Sequence, residues 1–238
     1  MTDEGKRRAG ITAGELLDKL EADPEYKARM EALELEIQAN RREFAEAERP
    51  LVKDLNRIGY GAVSVEQLRN SRSSYRSAVP VLLDWLTKME HPRVREAIVR
   101  ALSVPWAKPL AALPLIEEFK RTSSFSDPGY GWVVGNALSI VADDSVFEEL
   151  ASLTRDKKHG GSREMLAVAL GNMKDPRAED LLMELLDDED IAGHALMGLR
   201  KLKAVKARSK IEPFLKHPRT WWRNEAKKAL AAFDKATT

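Results

Sequence analysis

The sequence predicts an all-α solenoid of about five stacked helical hairpins, and three observations support this prediction. A small residue followed by Leu recurs along the 238-residue chain at spacings of 36, 32, 29 and 31 residues, a period typical of stacked helical hairpins. Apolar residues around each pair lie three and four positions apart, which gives each helix one apolar stripe. Proline dipeptides mark helix boundaries, because proline restricts the residue before it. The five small-Leu pairs are Ala101-Leu102, Ala137-Leu138, Ala169-Leu170, Gly198-Leu199 and Ala229-Leu230.

Residues 1–75 are predicted to form an N-terminal helical extension that precedes the repeat array at 76–238. Thr12 and Glu15 have the spacing of a capping box, which predicts a short helix over 12–21. Pro24 suits the first position of a long charged helix. Pro50 is expected to end that helix and to begin another.

The long charged helix carries a heptad-like seam of mostly apolar residues, spaced as in a coiled coil. We expect this heptad seam to pack on neighbouring helices of the same chain, and pairing with a second copy is the alternative. The seam comprises Met30, Leu33, Ile37, Asn40, Phe44, Ala47 and Leu51.

Within the array, the small residue of each pair sets the register of the second, inner helix of its hairpin. A larger side chain there should overpack the contact between helices. We therefore expect Ala169→Phe to destabilise the fold more than Ala167→Phe. Adjacent residues on a helix point about 100° apart, so Trp222 is expected to be buried and Trp221 exposed. Trp85 and Trp106 are expected in the core.

The composition narrows the chemistry. The chain has no cysteine, so a disulfide or a thiolate ligand is excluded. No apolar run approaches 18 residues, so no membrane span is expected, and the polar start without an apolar segment after it predicts a cytoplasmic protein. His194 has no carboxylate at i+4, and no nucleotide, metal or nucleophile motif is found. We therefore expect no cofactor, no metal and no catalytic residues.

Charge is distributed unevenly along the chain. Residues 200–238 hold 12 Lys/Arg against 3 Asp/Glu, whereas residues 143–190 hold 6 against 14. Such an uneven charge distribution produces an electric field that can steer a partner. Solvated surface charges that happen to segregate along the chain would give the same residue counts.

Three segments, PRVREAIVRAL (92–102), REMLAVALGNMKDP (163–176) and RTWWRNEAKKAL (219–230), resemble the HEAT repeat in its short bacterial form. The resemblance covers about 79–234, and the second and fourth inner helices lack its Arg. It implies an armadillo-type, right-handed α-α superhelix, similar to uncharacterised bacterial HEAT-repeat proteins. In such arrays the inner helices line the concave face. Similarity to the HEAT-like repeats of bilin lyases extends to the fold alone.

This resemblance implies a non-catalytic scaffold or adaptor that binds a protein or peptide, and a chain that is monomeric or self-associates weakly. The alternative is a nucleic-acid-binding protein similar to the HEAT-like alkylpurine DNA glycosylases. The basic end and its tryptophans favour that alternative, and the acidic third and fourth repeats disfavour it. Arg95, Arg163 and Arg223 are also candidates for structural contacts between repeats. The candidate partner-binding residues are Arg100, Trp132, Asn136, Met197, Arg200, Trp221, Arg223 and Lys227.

Overall fold

The computed structural model describes residues 11–71, 73–122 and 128–237, and the polar start at 1–10 lies outside these ranges. The described residues form α-helices joined by short 3-10 turns and contain no strand. None of these helices has the length and apolar character of a membrane span. The helices are α1 (Ala13–Ala22), α2 (Pro24–Arg57), α3 (Val65–Asn70), α4 (Val79–Lys88), α5 (Pro92–Leu102), α6 (Ala112–Thr122), α7 (Pro128–Val141), α8 (Phe147–Arg155), α9 (Glu164–Leu170), α10 (Arg177–Glu184), α11 (Ala192–Leu202), α12 (Arg208–Ile211) and α13 (Thr220–Thr237).

The chain forms two compact units, one ending at Ala47 and the other beginning at Glu48. In the first unit, the capping box is confirmed at the start of α1. The Thr12 N–H donates to Glu15 Oε2 at 2.9 Å, and the Glu15 N–H donates to Thr12 Oγ1 at 3.3 Å. No side chain in the described residues 11–47 is buried.

The expected break at Pro50 is wrong, because α2 runs through it without interruption. A proline inside a helix removes one backbone hydrogen bond, and burial of the turns that follow offsets this loss. Leu51 and Leu55 are both fully buried. Within the heptad seam, Leu51 packs inside the chain as expected, whereas Met30 and Leu33 are 42% and 44% exposed.

The second unit begins with the last turns of α2 and with α3, which packs against α5. Glu48 is buried and accepts a hydrogen bond from the Val65 N–H at 3.0 Å, at the start of α3. Burial raises the pKa of Glu48, although this hydrogen bond opposes the rise. This unit therefore begins before residue 76, and the predicted division into an extension and an array stays a prediction.

Five hairpins follow, in which each outer helix packs on the inner helix after it: α4 on α5, α6 on α7, α8 on α9, α10 on α11, and α12 on α13. The inner helices also pack on one another in sequence order, from α5 through α7, α9 and α11 to α13. The predicted all-α solenoid is thus confirmed as two layers of helices, in which each repeat contacts its neighbours.

The register set by the small residues agrees with the burial of the inner helices. The five small residues are all buried, and so are their leucines except Leu230, which is half-buried in the last repeat. The backbone just after α9 approaches α11 closely, because a Cβ on Gly171 would lie 2.9 Å from the Gly198 carbonyl oxygen. The expected contrast between Ala169→Phe and Ala167→Phe stays a prediction, and burial does not distinguish the two positions, since Ala167 is also fully buried. The short α9 packs on both α7 and α11, so both faces that carry these alanines are covered.

Polar contacts link neighbouring repeats. The Arg95 Nε donates to Glu118 Oε1 at 2.6 Å, with both residues buried. Arg163 is 0% exposed and donates to the carboxylate of Asp188 at 2.8 Å. The structural role considered for these two arginines is therefore confirmed. Trp85 and Trp106 are half-buried rather than core residues.

Polar contacts also link the fourth and fifth repeats, at the basic end of the chain. Lys206 Nζ donates to Asp180 Oδ1 at 2.9 Å, and Arg219 Nη1 donates to the Glu189 carbonyl oxygen at 3.1 Å. The basic fifth repeat thus packs on the acidic fourth repeat, and some of the segregated charges form contacts between these two repeats.

Candidate interaction surface

The accessible positions of the inner helices form a candidate surface, which we call the inner-helix surface. Its predicted members lie on α5, α7, α11 and α13, and none of them is buried. Arg100 pairs with Glu96 on its own helix at 2.7 Å. Trp132 and Trp221 are each 42% exposed. Asn136, Met197, Arg200 and Arg223 are half-buried, and Lys227 is exposed.

Trp221 lies across the start of α11, because Gly193 leaves room for its ring. A Cβ on Gly193 would meet the Trp221 ring and would lie 2.6 Å from Trp222 Nε1. The Trp221 ring centroid is 4.9 Å from that of His194. Trp222 is buried at 5% exposure, so the predicted division between the adjacent tryptophans is confirmed.

Side chains from three consecutive inner helices gather around His194, and we call this set the His194 cluster. Glu164 on α9 places Oε2 3.8 Å from His194 Nε2. Glu225 on α13 is 4% exposed, and its Oε2 lies 3.5 Å from Arg200 Nε. The cluster comprises Glu164, His194, Arg200, Trp221 and Glu225.

Burial lowers the pKa of the His194 imidazole, and the carboxylates of Glu164 and Glu225 oppose that shift in part. The ring is therefore held mainly in its neutral form at neutral pH. The second oxygen of Glu225 and Nε of Arg200 are buried, without a hydrogen-bond partner among the described residues. These two atoms face each other at 3.5 Å as an ion pair, so they compensate each other's charge inside the inner layer.

Arg223 is held by its own turn. Its Nη1 donates to the carbonyl oxygens of His217 and Pro218, both at 2.7 Å, and its Nη2 donates to Thr220 Oγ1 at 2.8 Å. The contact between repeats considered for Arg223 is therefore wrong, since its bonds lie within its own hairpin, and its place among the partner-binding residues stays a prediction.

Sequence reasoning missed the His194 cluster, because it searched for a carboxylate on the same helix as His194. The signal was present in the repeat register. Counted back from the small residues, Glu164 stands at the fifth position, while His194 and Glu225 both stand at the fourth. Consecutive inner helices bring such positions together. By contrast, Arg100 and Trp221 are not neighbours, since three inner helices separate α5 from α13.

Within the part of the chain that the structure describes, no three His, Asp or Glu residues are arranged to hold a metal ion. The candidate site is thus a surface of aromatic, thioether and mixed charged groups on a stack of helices.

These features define a helical-repeat protein. Residues 162–188 match the family model described as the PBS lyase HEAT-like repeat, and this segment includes inner helix α9 and outer helix α10. The chain therefore contains a HEAT-like repeat, as its resemblance predicted.

No curated protein matches the chain. The solved structures similar to it include a crystal structure of an engineered protein, a target of the Northeast Structural Genomics Consortium. That structure is 17% identical, has a TM-score of 0.45, and the alignment covers 78% of this chain and 97% of the other. This level of similarity is too low to support a conclusion about function.

Proposed function

We propose that the protein is a non-catalytic interaction scaffold, which binds a protein or peptide on its inner-helix surface. The main support is the exposure of Trp132 and Trp221 on the inner layer, at 42% each. Tryptophan is one of the residue types enriched among those that dominate binding energy at protein interfaces. A tryptophan that stays 42% exposed while resting on a glycine is positioned in advance to bind a partner.

The residues around these tryptophans favour a protein partner over a nucleic acid. Met197 offers a flexible apolar contact of the kind enriched at protein interfaces. The His194 cluster mixes two carboxylates with an arginine, whereas a nucleic-acid site needs a concentration of cations along the phosphate backbone.

Nucleic-acid binding remains the alternative, because the last repeat is basic. Several of its cations, however, are already engaged within the chain. Lys206 pairs with Asp180, Lys228 pairs with Glu225 at 2.6 Å, and Arg223 bonds its own turn. These contacts leave less positive charge for phosphates than the residue count of the segment indicates.

The test of the proposal uses the full chain as an immobilised bait for proteins from the source cell. The variant carries Trp132→Ala and Trp221→Ala, and the matched control carries Leu113→Ala, since Leu113 is 55% exposed on outer helix α6. A specific partner should be retained by the wild type and the control and lost by the double variant. Retention of the same partners by the double variant would show that the inner-helix surface does not bind them.

A separate measurement addresses nucleic acid. Phosphate contacts predict DNA affinity that falls steeply between low and moderate salt, and Lys227→Ala should weaken it. Undetectable DNA binding at low salt would remove this alternative and leave the protein-binding proposal to be judged by the capture experiment alone.

A further inference from the structure

We propose that α2 pairs in parallel with α2 of a second copy of the chain, through Met30, Leu33, Ile37 and Asn40 of the heptad seam. The first two of these side chains are largely exposed to water. Met30 and Leu33 are 42% and 44% exposed, and Ile37 is half-buried. Most helix stability in proteins comes from packing an apolar face against a neighbour, and a second copy would supply that packing here. The proposal does not depend on the function proposed for the inner-helix surface.

The spacing of the seam assigns its residues to coiled-coil core positions. Met30 and Ile37 fall at a, whereas Leu33 and Asn40 fall at d. Ile37 at a and Leu33 at d are residue types that favour two parallel strands, and a polar residue in the core lowers the stability of the pair. Asn40 would face its equivalent in the second copy.

Charges beside the seam identify the occupant as the same helix in parallel orientation. Arg29 and Glu36 fall at g, while Glu34 and Arg41 fall at e. In a parallel pair, each g residue meets the e residue five positions further along the partner. Arg29 would therefore meet Glu34 of the second copy, and Glu36 would meet its Arg41.

The two members of each pair are not spaced to meet along one helix, although Arg29 lies 5.4 Å from the Tyr26 ring centroid and Glu34 accepts a hydrogen bond from Gln38 at 3.1 Å. Side chains meet at separations of three and four residues, whereas Arg29 and Glu34, like Glu36 and Arg41, are five apart. In the described part of the chain, neither Glu36 nor Arg41 forms an ion pair, and both are exposed. The complementarity is therefore satisfied by a second parallel helix.

The first test uses the absence of cysteine from the chain. Asn40→Cys places one thiol in the core of the pair, where the two Cα atoms approach closely enough for a disulfide. Ala39→Cys, on the neighbouring outward position, is the matched control. Under mild oxidation, the full-length Asn40→Cys chain should run as a crosslinked dimer on a denaturing gel, and the Ala39→Cys chain should not. Equal crosslinking of the two variants, or none in either, would overturn the proposal.

The second test measures mass in solution by analytical ultracentrifugation. The wild type should approach twice the 26.7 kDa chain mass as its concentration rises. Glu36→Arg turns two attractive contacts per dimer into two repulsive ones, and the dissociation constant should rise by about tenfold or more. Adding Arg41→Glu to this variant restores both contacts and should restore dimerisation.

Mixing the single variants Glu36→Arg and Arg41→Glu should give a heterodimer, because each chain then offers the charge that the other lacks. A wild type that stays monomeric at every concentration, or a double variant that associates no better than Glu36→Arg, would refute parallel pairing.

Discussion

Replacing Arg163 by Ala tests whether buried polar contacts between repeats hold the array together. The guanidinium is 0% exposed and donates four hydrogen bonds: to the Thr154 and Gly160 carbonyl oxygens at 3.0 Å each, to Asp188 at 2.8 Å and to Asp190 at 3.3 Å. The substitution removes this donor from the buried Thr154 carbonyl and leaves the largely buried Asp188 carboxylate without its cation, with only the Asp190 N–H donating to it at 3.1 Å.

The magnitude follows from the burial of the pair. Removing one member of a buried ion pair costs about 3–5 kcal/mol of unfolding free energy, because the other charge stays desolvated. For a domain of this size, 1 kcal/mol corresponds to about 2–4 °C in the melting temperature. We therefore expect Arg163→Ala to lower the melting temperature by roughly 6–20 °C.

Arg155→Ala is the matched control from the same hairpin. Its guanidinium pairs with Glu184 of the next repeat at 2.8 and 3.0 Å, and the two side chains are 50% and 56% exposed. Such exposed pairs contribute about 0–1 kcal/mol, so this variant should melt within about 4 °C of the wild type.

Thermal unfolding followed by far-UV circular dichroism separates the two variants. Equal melting temperatures for Arg163→Ala and Arg155→Ala would refute the argument that burial determines the strength of contacts between repeats.

The pH dependence gives a second readout of the same pair. Burial would raise the pKa of Asp188, but hydrogen bonds from Arg163 and from the Asp190 N–H outweigh burial and hold the pKa below its ordinary value of 3.8. The stability from this lowered pKa is present above about pH 4 and is lost as pH falls through the lowered pKa. The stability difference between wild type and Arg163→Ala should therefore narrow in acid.

Two further predictions concern Gly193 and His159. Gly193→Ala should displace the Trp221 ring and shift tryptophan emission to the red, because the added Cβ would overlap that ring. The control Gly161→Ala should leave the emission unchanged, because its Cβ would have an ordinary 3.8 Å contact. Equal emission spectra for the two variants would contradict the packing of Trp221 on Gly193. Burial lowers the pKa of the His159 imidazole from 6.5, and neither ring nitrogen has a hydrogen-bond partner among the described residues. The unfolded chain therefore binds this proton more readily, so His159 destabilises the fold as pH drops below 6.5. His159→Phe should lose less stability than wild type in melting curves between pH 7.5 and pH 5, whereas parallel curves for the two proteins would show that His159 does not titrate in this way.

Local patterns allowed much of the fold to be predicted from the sequence. The capping box of α1, the buried stripe of each inner helix and the division between Trp221 and Trp222 depend on residues a few positions apart on one helix. The uninterrupted helix through Pro50 was not predicted, because burial of Leu51 and Leu55 offsets the local cost of proline. Burial of Ala167 was missed for a related reason, since it depends on how many neighbours surround the short α9.

By itself, the sequence determined the all-α class, the hairpin period and the register of the inner helices, because these depend on periodicity and on the small residue at each helix contact. The tertiary structure alone decided that Glu164 and Glu225 lie beside His194, that Arg223 is taken up by its own turn, and that the early part of the heptad seam stays exposed. Each of these depends on the distance and rotation between packed helices, which are set by the side chains of both neighbours together and not by the spacing within one helix.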